Sequence, residues 1–525
     1  GYAYGTIQPS LIFRFSDLPS GQNNIPKQVA QLCESLPSFD DDNRFSHGSL
    51  VINLAEAPAA LITILDYLNH YSGDNRFTPI QVFEEGKSLC FAIPTLSPAM
   101  ADFNFKNITH LLSIMGKGLK QDEISSFLAN NKSKARAFLP RGTNAVGFIQ
   151  AASKHKIPFK IFNQNHIIFG YGTGSSIFNS SMTDQESVIG VTLAKSKVDT
   201  NRLLKFSGFP VAQQTPVRKI EDALQFAEKI GFPLVLKPGS EEQGRGVFAN
   251  ITNEVELKEC FDQASESYSH LILERFVTGF SYRVQIHDGT VIDAWKMIPP
   301  FVIGDGKLSV GELIDIENAK PDRNAINGSM KPIPLDEVTS KNLRKLGLTL
   351  KSIPSIGEKV TLAETSNESR GGTSENFFQF LHPKNAELCA DAAKTLGLKV
   401  AGVDIVSEDG SKQWRENNTI ICEINSQPEL GNFTRHPHLY HDLLEKIPES
   451  HVIIKLKISN KYKIINLNIF NKTKSEIVIK CTPSHLLNHG CPTQYFDEIL
   501  FERDVSVEEQ KKINAIISSV PSNRP

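Results

Sequence analysis

The sequence predicts an α+β protein, and three observations carry that prediction. Helix-period and strand-period segments alternate from about residue 199 to residue 298. An apolar run, Leu234-Val235-Leu236, ends on Lys237-Pro238, passes into a glycine-bearing polar loop and resumes as Val247-Phe248-Ala249-Asn250-Ile251. Two further apolar stretches, 400–406 and 420–425, carry Asp404, Glu423 and Asn425, polar groups that are costly inside a sheet unless they are paired.

The elements come in this order. Residues 1–165 form an N-terminal α+β domain, with strands at 49–54 and 79–83 and helices at 58–71 and 121–131. The segment 145–154 then leads through Ile157-Pro158 into 159–162. This domain serves docking or oligomer contacts, or is a scaffold packed on the next domain. Residues 166–187, rich in Gly, Ser and Thr, cross as loop and short strand. A helix at 199–207 closes at Gly208, a short strand occupies 211–213, and an amphipathic helix at 221–230 closes at Gly231. Beyond the glycine loop come a helix at 253–267 and a strand at 270–274. Strands at 281–286 and 291–298 are joined by the hairpin signal Asp288-Gly289. Asp305-Gly306 and Gly371-Gly372 mark loops, and a helix at 384–396 ends at Gly397. After residue 450, alternating Ile, Lys and Asn at 453–458, 463–469 and 475–480 describe a small β-rich C-terminal tail, 451–525. The central domain is 166–450.

Composition narrows the function classes. A chain of 525 residues with 40% apolar and 22% charged content supports several well-formed cores. A net charge of −2 and a pI near 6.8 make no electrostatic case for nucleic acid or an anionic membrane as partner. The seven cysteines are scattered, odd in number and never in a CxxC arrangement, so neither a disulfide framework nor structural zinc is expected. The first residues lack a basic segment followed by an apolar one, and no apolar run approaches the ~20 residues of a membrane span. A cytoplasmic protein is the expectation, with a trimmed leader left open because the chain starts on Gly1.

Candidate chemistry collects at five places. Gly239, Gly244 and Gly246 allow positive φ and close backbone approach, and Lys237 and Arg245 add charge, so the loop can turn N–H groups toward a phosphate. It is not a Walker A loop, and an ordinary hairpin connection is the alternative. Asp404 and Glu423 on neighbouring strands, with Asn425 two residues on, make a hard-oxygen set for Mg²⁺; the alternative is that cations pair with them and they only anchor the sheet. Glu274 closes a strand before Arg275-Phe276-Val277, the character of a nucleotide-contacting hinge or of a solvated strand end. Lys197, Arg283 and Lys296 are phosphate or carboxylate clamps or surface charges. Asn367-Glu368-Ser369-Arg370-Gly371-Gly372-Thr373 offers donors to a developing acyl phosphate, or is a plain turn.

In sequence order, VLKPGSEEQGRGV, ILERFVTG with SYRV, IPPFVIGDGKLSVGELID, NESRGGT, AGVDIV and ICEIN resemble the ATP-grasp module of cyanophycin synthetases. The likeness runs from about residue 157 to 438. It implies an ATP-grasp fold, two α+β lobes gripping ATP, and an ATP-driven ligation in which a phosphorylated carboxylate is attacked by an amine. By the same match, Lys197 and Lys237 hold ATP phosphates, and Glu241, Gly244, Arg245, Gly246 and Val247 belong to a flexible lid. Glu274 and Val277 line the nucleoside pocket. Arg283 neutralises phosphate or acyl-phosphate charge, and Asn367, Ser369, Gly371 and Gly372 line the acceptor side; Lys296, a candidate clamp, is counted with these catalytic residues outside the match. Asp404, Glu423 and Asn425 bind magnesium.

The resemblance implies amino-acid or peptide substrates and a homo-oligomer. It stops short of the Mur-ligase-like module that comes next in that family, and Lys296-Met297, Phe301 and Pro428-Glu429 depart from its pattern, which points to a retuned substrate pocket. Arg435 and His436 in FTRHP read as loop residues, with contact to the substrate as the alternative. Ligation of a non-amino-acid carboxylate and a nucleotide-binding regulator without turnover are the alternative readings.

Overall fold

The computed structural model describes residues 10–15, 57–74, 80–85, 88–115, 121–155, 157, 159–170, 175–239, 246–320, 323, 330–366, 370–431, 433, 436–445, 453–461, 476–489 and 498–517. Two compact units emerge, a central one at Ser181–Asn432 and a second that gathers Gly1–Ser180 and Phe433–Pro525. The expected strands at 49–54 and 463–469 lie outside the described residues, as does Arg435.

The central unit opens with two capped helices. In α1 (Val188–Ala194) the Ser187 hydroxyl accepts from Gly190 N, and in α2 (Lys197–Phe206) the Ser196 hydroxyl accepts from Asp199 N. Next come β1 (Gln214–Val217), α3 (Ile220–Ile230), β2 (Leu234–Pro238), β3 (Phe248–Ile251), α4 (Glu254–Ser265) and β4 (Leu271–Arg275). Their sheet is antiparallel in the order β3-β2-β4-β1. Leu234, Leu236, Leu271 and Leu273 alternate onto one face and bury against Ala223, Ala227, Leu257 and Phe261 of α3 and α4. That alternation leaves Val235, Lys237, Ile272 and Glu274 on the other face.

A strand expected at 211–213 begins instead at Gln214. Val211 makes an isolated parallel bridge to Ile421, because its apolar side chain packs on a different core, whereas residues 214–217 find backbone partners on β4.

The second sheet is built from β5 (Phe280–His287) and β6 (Thr290–Ile298), whose turn places Asp288 at φ 48° and Gly289 at φ 76°, the left-handed pair of a type I′ hairpin. Then follow β7 (Phe301–Ile303), α5 (Val310–Asn318), α6 (Glu337–Lys345), β8 (Lys359–Thr361), β9 (Thr373–Asn376), α7 (Pro383–Leu396), β10 (Val400–Ser407) and β11 (Ile420–Asn425). Five strands pair antiparallel in the order β9-β6-β5-β10-β11. Tyr282, Val284, Ile286, Val403, Ile405, Ile421 and Ile424 bury one face against α7. The pair β7-β8 with α5 and α6 closes a small third core around Val302, Val310, Ile314, Leu343 and Val360.

In the other unit, strands Ser10–Phe15, Ser88–Pro94 and Gln81–Glu85 form an antiparallel sheet. The helices Ala57–Tyr71, Pro98–Met115 and Gln121–Ala135 are joined by a buried amide ladder. In it Asn104 donates to Asn69 and Asn131 donates to Asn104, each at 2.8 Å. Near the end of the chain, Ile453–Ile458 lies between Glu476–Cys481 and Glu498–Phe501, all parallel, accompanied by helices Pro483–His489 and Val507–Ile517. Among the described residues no helix is long and apolar enough to cross a membrane.

Helix α1 has no room for a side chain at Gly190, where a Cβ would come within 1.9 Å of the Leu396 carbonyl oxygen. Gly190→Ala therefore forces α1 off the end of α7 and is expected to cost about 2 kcal/mol, read as a lowered Tm. An unchanged Tm would mean that the two helices do not meet at this point.

Candidate nucleotide and phosphate site

The first half of the site stands on the four-stranded sheet. On its unpacked face Lys237 of β2 and Glu274 of β4 occupy diagonal positions, Lys237 opposite Ile272 and Val235 opposite Glu274. Lys237 Nζ donates to Glu274 Oε1 at 2.8 Å. The lysine is 8% exposed. Burial works to strip its proton, but the Glu274 carboxylate, with help from Cys422 and Glu423, more than offsets this and holds the ammonium above its usual range.

The second half is a transverse row on the five-stranded sheet. Register sets Arg283 of β5 opposite Asp404 of β10, and Asp404 opposite Glu423 of β11. All three alternate away from the Tyr282, Val403 and Ile421 core. Arg283 grips Asp404 with both forks, Nε to Oδ1 and Nη2 to Oδ2, the latter at 2.9 Å. Asn425 Nδ2 donates to Asp404 Oδ2 at 3.3 Å. Lys197, the first residue of α2, brings Nζ to 3.1 Å from Glu423 Oε1. Burial raises the Asp404 carboxyl, Arg283 pulls it down, and nearby Glu423 pushes it up again; the net direction is upward.

A β-bulge ties the halves together. Glu423 opposes Asp404 but Ile421 opposes Ile405, so Cys422 is the extra residue. Its thiol, pushed up to about 12 by burial and then by Glu274, lies within electrostatic reach of Lys237, Asp404 and Glu423 as well. Lys237 in turn feels Glu423. The cations Lys197, Lys237 and Arg283 thus face the carboxylates Glu274, Asp404 and Glu423 in one coupled cluster. Such a cluster can exchange its internal pairs for the oxygens of a polyanion and a hard cation.

The remaining sequence candidates divide. Gly246, at φ 68°, sits where a Cβ would come within 2.5 Å of the Tyr268 ring, and Val247 leads into β3. Val277 is half-buried just beyond β4. Gly371, at φ 83°, and Gly372 are buried. Glu241, Gly244, Arg245, Asn367 and Ser369 lie outside the described residues.

Lys296 does not join the cluster. It stands opposite Tyr282 in the register, and its Nζ lies 3.6 Å from the Phe280 ring centroid. Strand alternation therefore puts it on the other face from Arg283. Sequence reasoning also passed over Cys422, which reads as one more core residue of an apolar strand. Only the bulge exposes its position, and no sequence signal marks it.

Among the described residues no group of three or more His, Cys, Asp and Glu is arranged for a metal. The hard-oxygen set here is two carboxylates and an amide, with Asp404 and Glu423 as register partners on one face.

Comparison with known proteins places the module in a family. The family model of the carbamoyl-phosphate synthase L chain, ATP binding domain, matches residues 196–324, and that of the RimK-like ATP-grasp domain matches residues 356–450. The chain carries an ATP-grasp module. That module resembles cyanophycin synthetase: the protein from Nostoc sp. (strain PCC 7120) is 33% identical over 290 residues, 55% of this chain and 32% of that protein. The glutathione biosynthesis bifunctional protein of Clostridium perfringens is 28% identical over 286 residues, 53% of this chain and 37% of that protein. The chain thus spans about a third of the length of these curated relatives. A solved bifunctional glutathione synthetase from Pasteurella multocida superposes with a TM-score of 0.44 and 21% identity over 67% of this chain and 53% of that one.

The buried pair gives a direct test. Lys237→Met leaves Glu274 an uncompensated carboxylate and is expected to cost about 3 kcal/mol in denaturant unfolding. The double change Lys237→Met with Glu274→Leu should recover most of that loss. A single variant as stable as the parent would show that the pair is not buried in solution.

Proposed function

We propose that this chain is an ADP-forming carboxylate–amine ligase, with residues 166–450 as the catalytic module, that joins amino acids or extends a peptide using ATP and Mg²⁺. The observation that carries the reading is the coupled cluster, in which Lys237, paired with Glu274 on the four-stranded sheet, lies within electrostatic reach of Glu423 on the five-stranded sheet, where Arg283 pairs with Asp404 and Lys197 of α2 pairs with Glu423.

The chemistry asks for what those residues supply. A substrate carboxylate attacks the γ-phosphorus, the bond to the bridging oxygen breaks and ADP leaves. The amine then attacks the acyl phosphate, loses a proton and expels phosphate. Both steps crowd anions together, so positioning and fixed positive charge do most of the work. Lys197 and Lys237 would turn from Glu423 and Glu274 to ATP phosphates, and Arg283 from Asp404 to the acyl phosphate. Asp404, Glu423 and the amide oxygen of Asn425 would hold Mg²⁺, which fits this hard-oxygen set once the two cations turn away and which supplies charge neutralisation at the phosphates. Glu274 and Val277 would line the nucleoside pocket. Gly371 and Gly372, with Asn367 and Ser369, would receive the acyl phosphate on the acceptor side. The loop 241–247 would close over the site and exclude water from an easily hydrolysed intermediate. The homo-oligomer and cytoplasmic expectations belong to this proposal, on the strength of the resemblance.

The test is ADP and phosphate release from ATP–Mg²⁺ with single amino acids, amino-acid pairs and short Asp- or Arg-containing peptides, with mass spectrometry of each mixture. Release that depends on a pair, with a product equal in mass to both partners less water, is expected. Glu423→Ala should reduce that release at least about 100-fold while the fold is kept. No stimulation by any mixture, with ATP binding intact, would move the reading to another carboxylate or to a regulator without turnover.

A further inference from the structure

Helix α6 touches both sides of the proposed reaction. At its start, Asp336 caps it by accepting from Thr339 N at 3.2 Å, and the same carboxylate receives Arg370 Nη2 on both oxygens, at 2.7 and 2.8 Å. Arg370 immediately precedes Gly371, which lies so close to Ile333 that a Cβ would come within 2.6 Å of its side chain. The glycine loop therefore rests on the segment that leads into α6.

At the other end, Lys345 Nζ lies 3.0 Å from Glu364 Oε1, on the run leading into that loop, and 3.5 Å from Glu256 Oε1 on α4. One turn earlier, Lys341 Nζ is 3.8 Å from Cys260 Sγ, also on α4, and 6.0 Å from the Phe248 ring centroid on β3. Glu256 in turn accepts from Thr252 N at 2.9 Å, the residue just after β3. The i, i+4 spacing of Lys341 and Lys345 puts both on one helix face. Thr339 and Leu343 are the buried residues of the helix, and Leu343 packs in the third core.

We propose that α6 is a strut that couples the lobe carrying Lys237, through β3 and α4, to the acceptor loop at Arg370–Gly372, with Asp336 and Lys345 as its two positioning residues. This rests on the ligase reading. A short helix anchored in a core transmits displacement, whereas separate flexible loops would not. Movement of α4 and β3 toward the phosphates would carry Lys341 and Lys345 with it, and through Glu364 and Asp336 would set the glycine loop. ATP binding would thereby prepare the acceptor side before the acyl phosphate forms. The individual contacts are partly exposed, and each alone contributes little; the coupling lies in their attachment to one rigid element.

The experiment separates the ion pair from the helix cap. Asp336→Ser keeps an N-capping oxygen but removes the grip on Arg370, and Lys345→Met removes the other end. Amide hydrogen exchange, read without nucleotide, should rise at least about fivefold at 248–256 in Asp336→Ser, although Asp336 touches neither β3 nor α4, and equally in Lys345→Met. Isothermal titration with the non-hydrolysable analogue AMP-PNP and Mg²⁺ should show each single variant weakened about threefold to tenfold. The double variant should be no weaker than either single, because both changes break the same strut. Asp336→Glu should restore both readouts. Exchange at 248–256 within twofold of the parent in Asp336→Ser, or a double variant whose Kd change is the product of the singles, would overturn the proposal. Exchange decides the strut even where AMP-PNP fails to bind the parent protein, an outcome that overturns the ligase reading instead.

Discussion

The pairing of Arg283 with Asp404 is the interaction on which the site of the central unit depends. Burial in the middle strands of a sheet, with Val403, Ile405 and Ile424 behind it, raises the Asp404 carboxyl, and a cation close by works against that rise. The register supplies one, since β5 and β10 set the guanidinium directly across from it. Glu423 on the next strand adds a second negative charge beside the first, and Lys197 at the start of α2 answers it. The placement of α2 against β11, which brings Lys197 within reach of Glu423, meets this need.

The same logic links the two sheets. Lys237 and Glu274 satisfy each other on the four-stranded sheet, but Lys237 also feels Glu423 from the five-stranded one. The bulge at Cys422 matters because it lets a strand with an alternating core face present Cys422 and Glu423 toward the same cluster. Charges balanced in this way are held in place while remaining exchangeable. That property suits a site for triphosphate and metal better than it suits a plain structural anchor, which would be at least as stable with apolar residues in the same positions.

Much of this was legible in the chain because it is local. Asp288-Gly289 marks its hairpin through the positive φ that both residues adopt. Asn253 marks a helix start by its capping amide, and Gly397 ends α7 in the left-handed conformation. The closeness of Asp404 and Glu423 arises from two apolar strands with matched polar positions. What failed was longer in range. Lys296 and Arg283 are near in sequence and alike in charge, yet an odd spacing on paired strands sends them to opposite faces. Val211 looks like the start of a strand, but its partner is decided by which core its side chain enters. The role of α6 is invisible in the sequence because Asp336, Lys341 and Lys345 read as ordinary charges on a polar helix.

Short windows of the chain already specify the glycine-bearing turn that follows Lys237, the carboxylate-bearing strands and the kinship with ATP-grasp modules. They can do so because propensity, turn chemistry and side-chain alternation act over a few residues. The partners were settled by the folded arrangement alone: Lys237 with Glu274, Arg283 with Asp404, Lys197 with Glu423, and Lys345 with both Glu256 and Glu364. Ion pairs act over a few ångströms between residues up to hundreds of positions apart, and strand order, register and a single bulge set those distances.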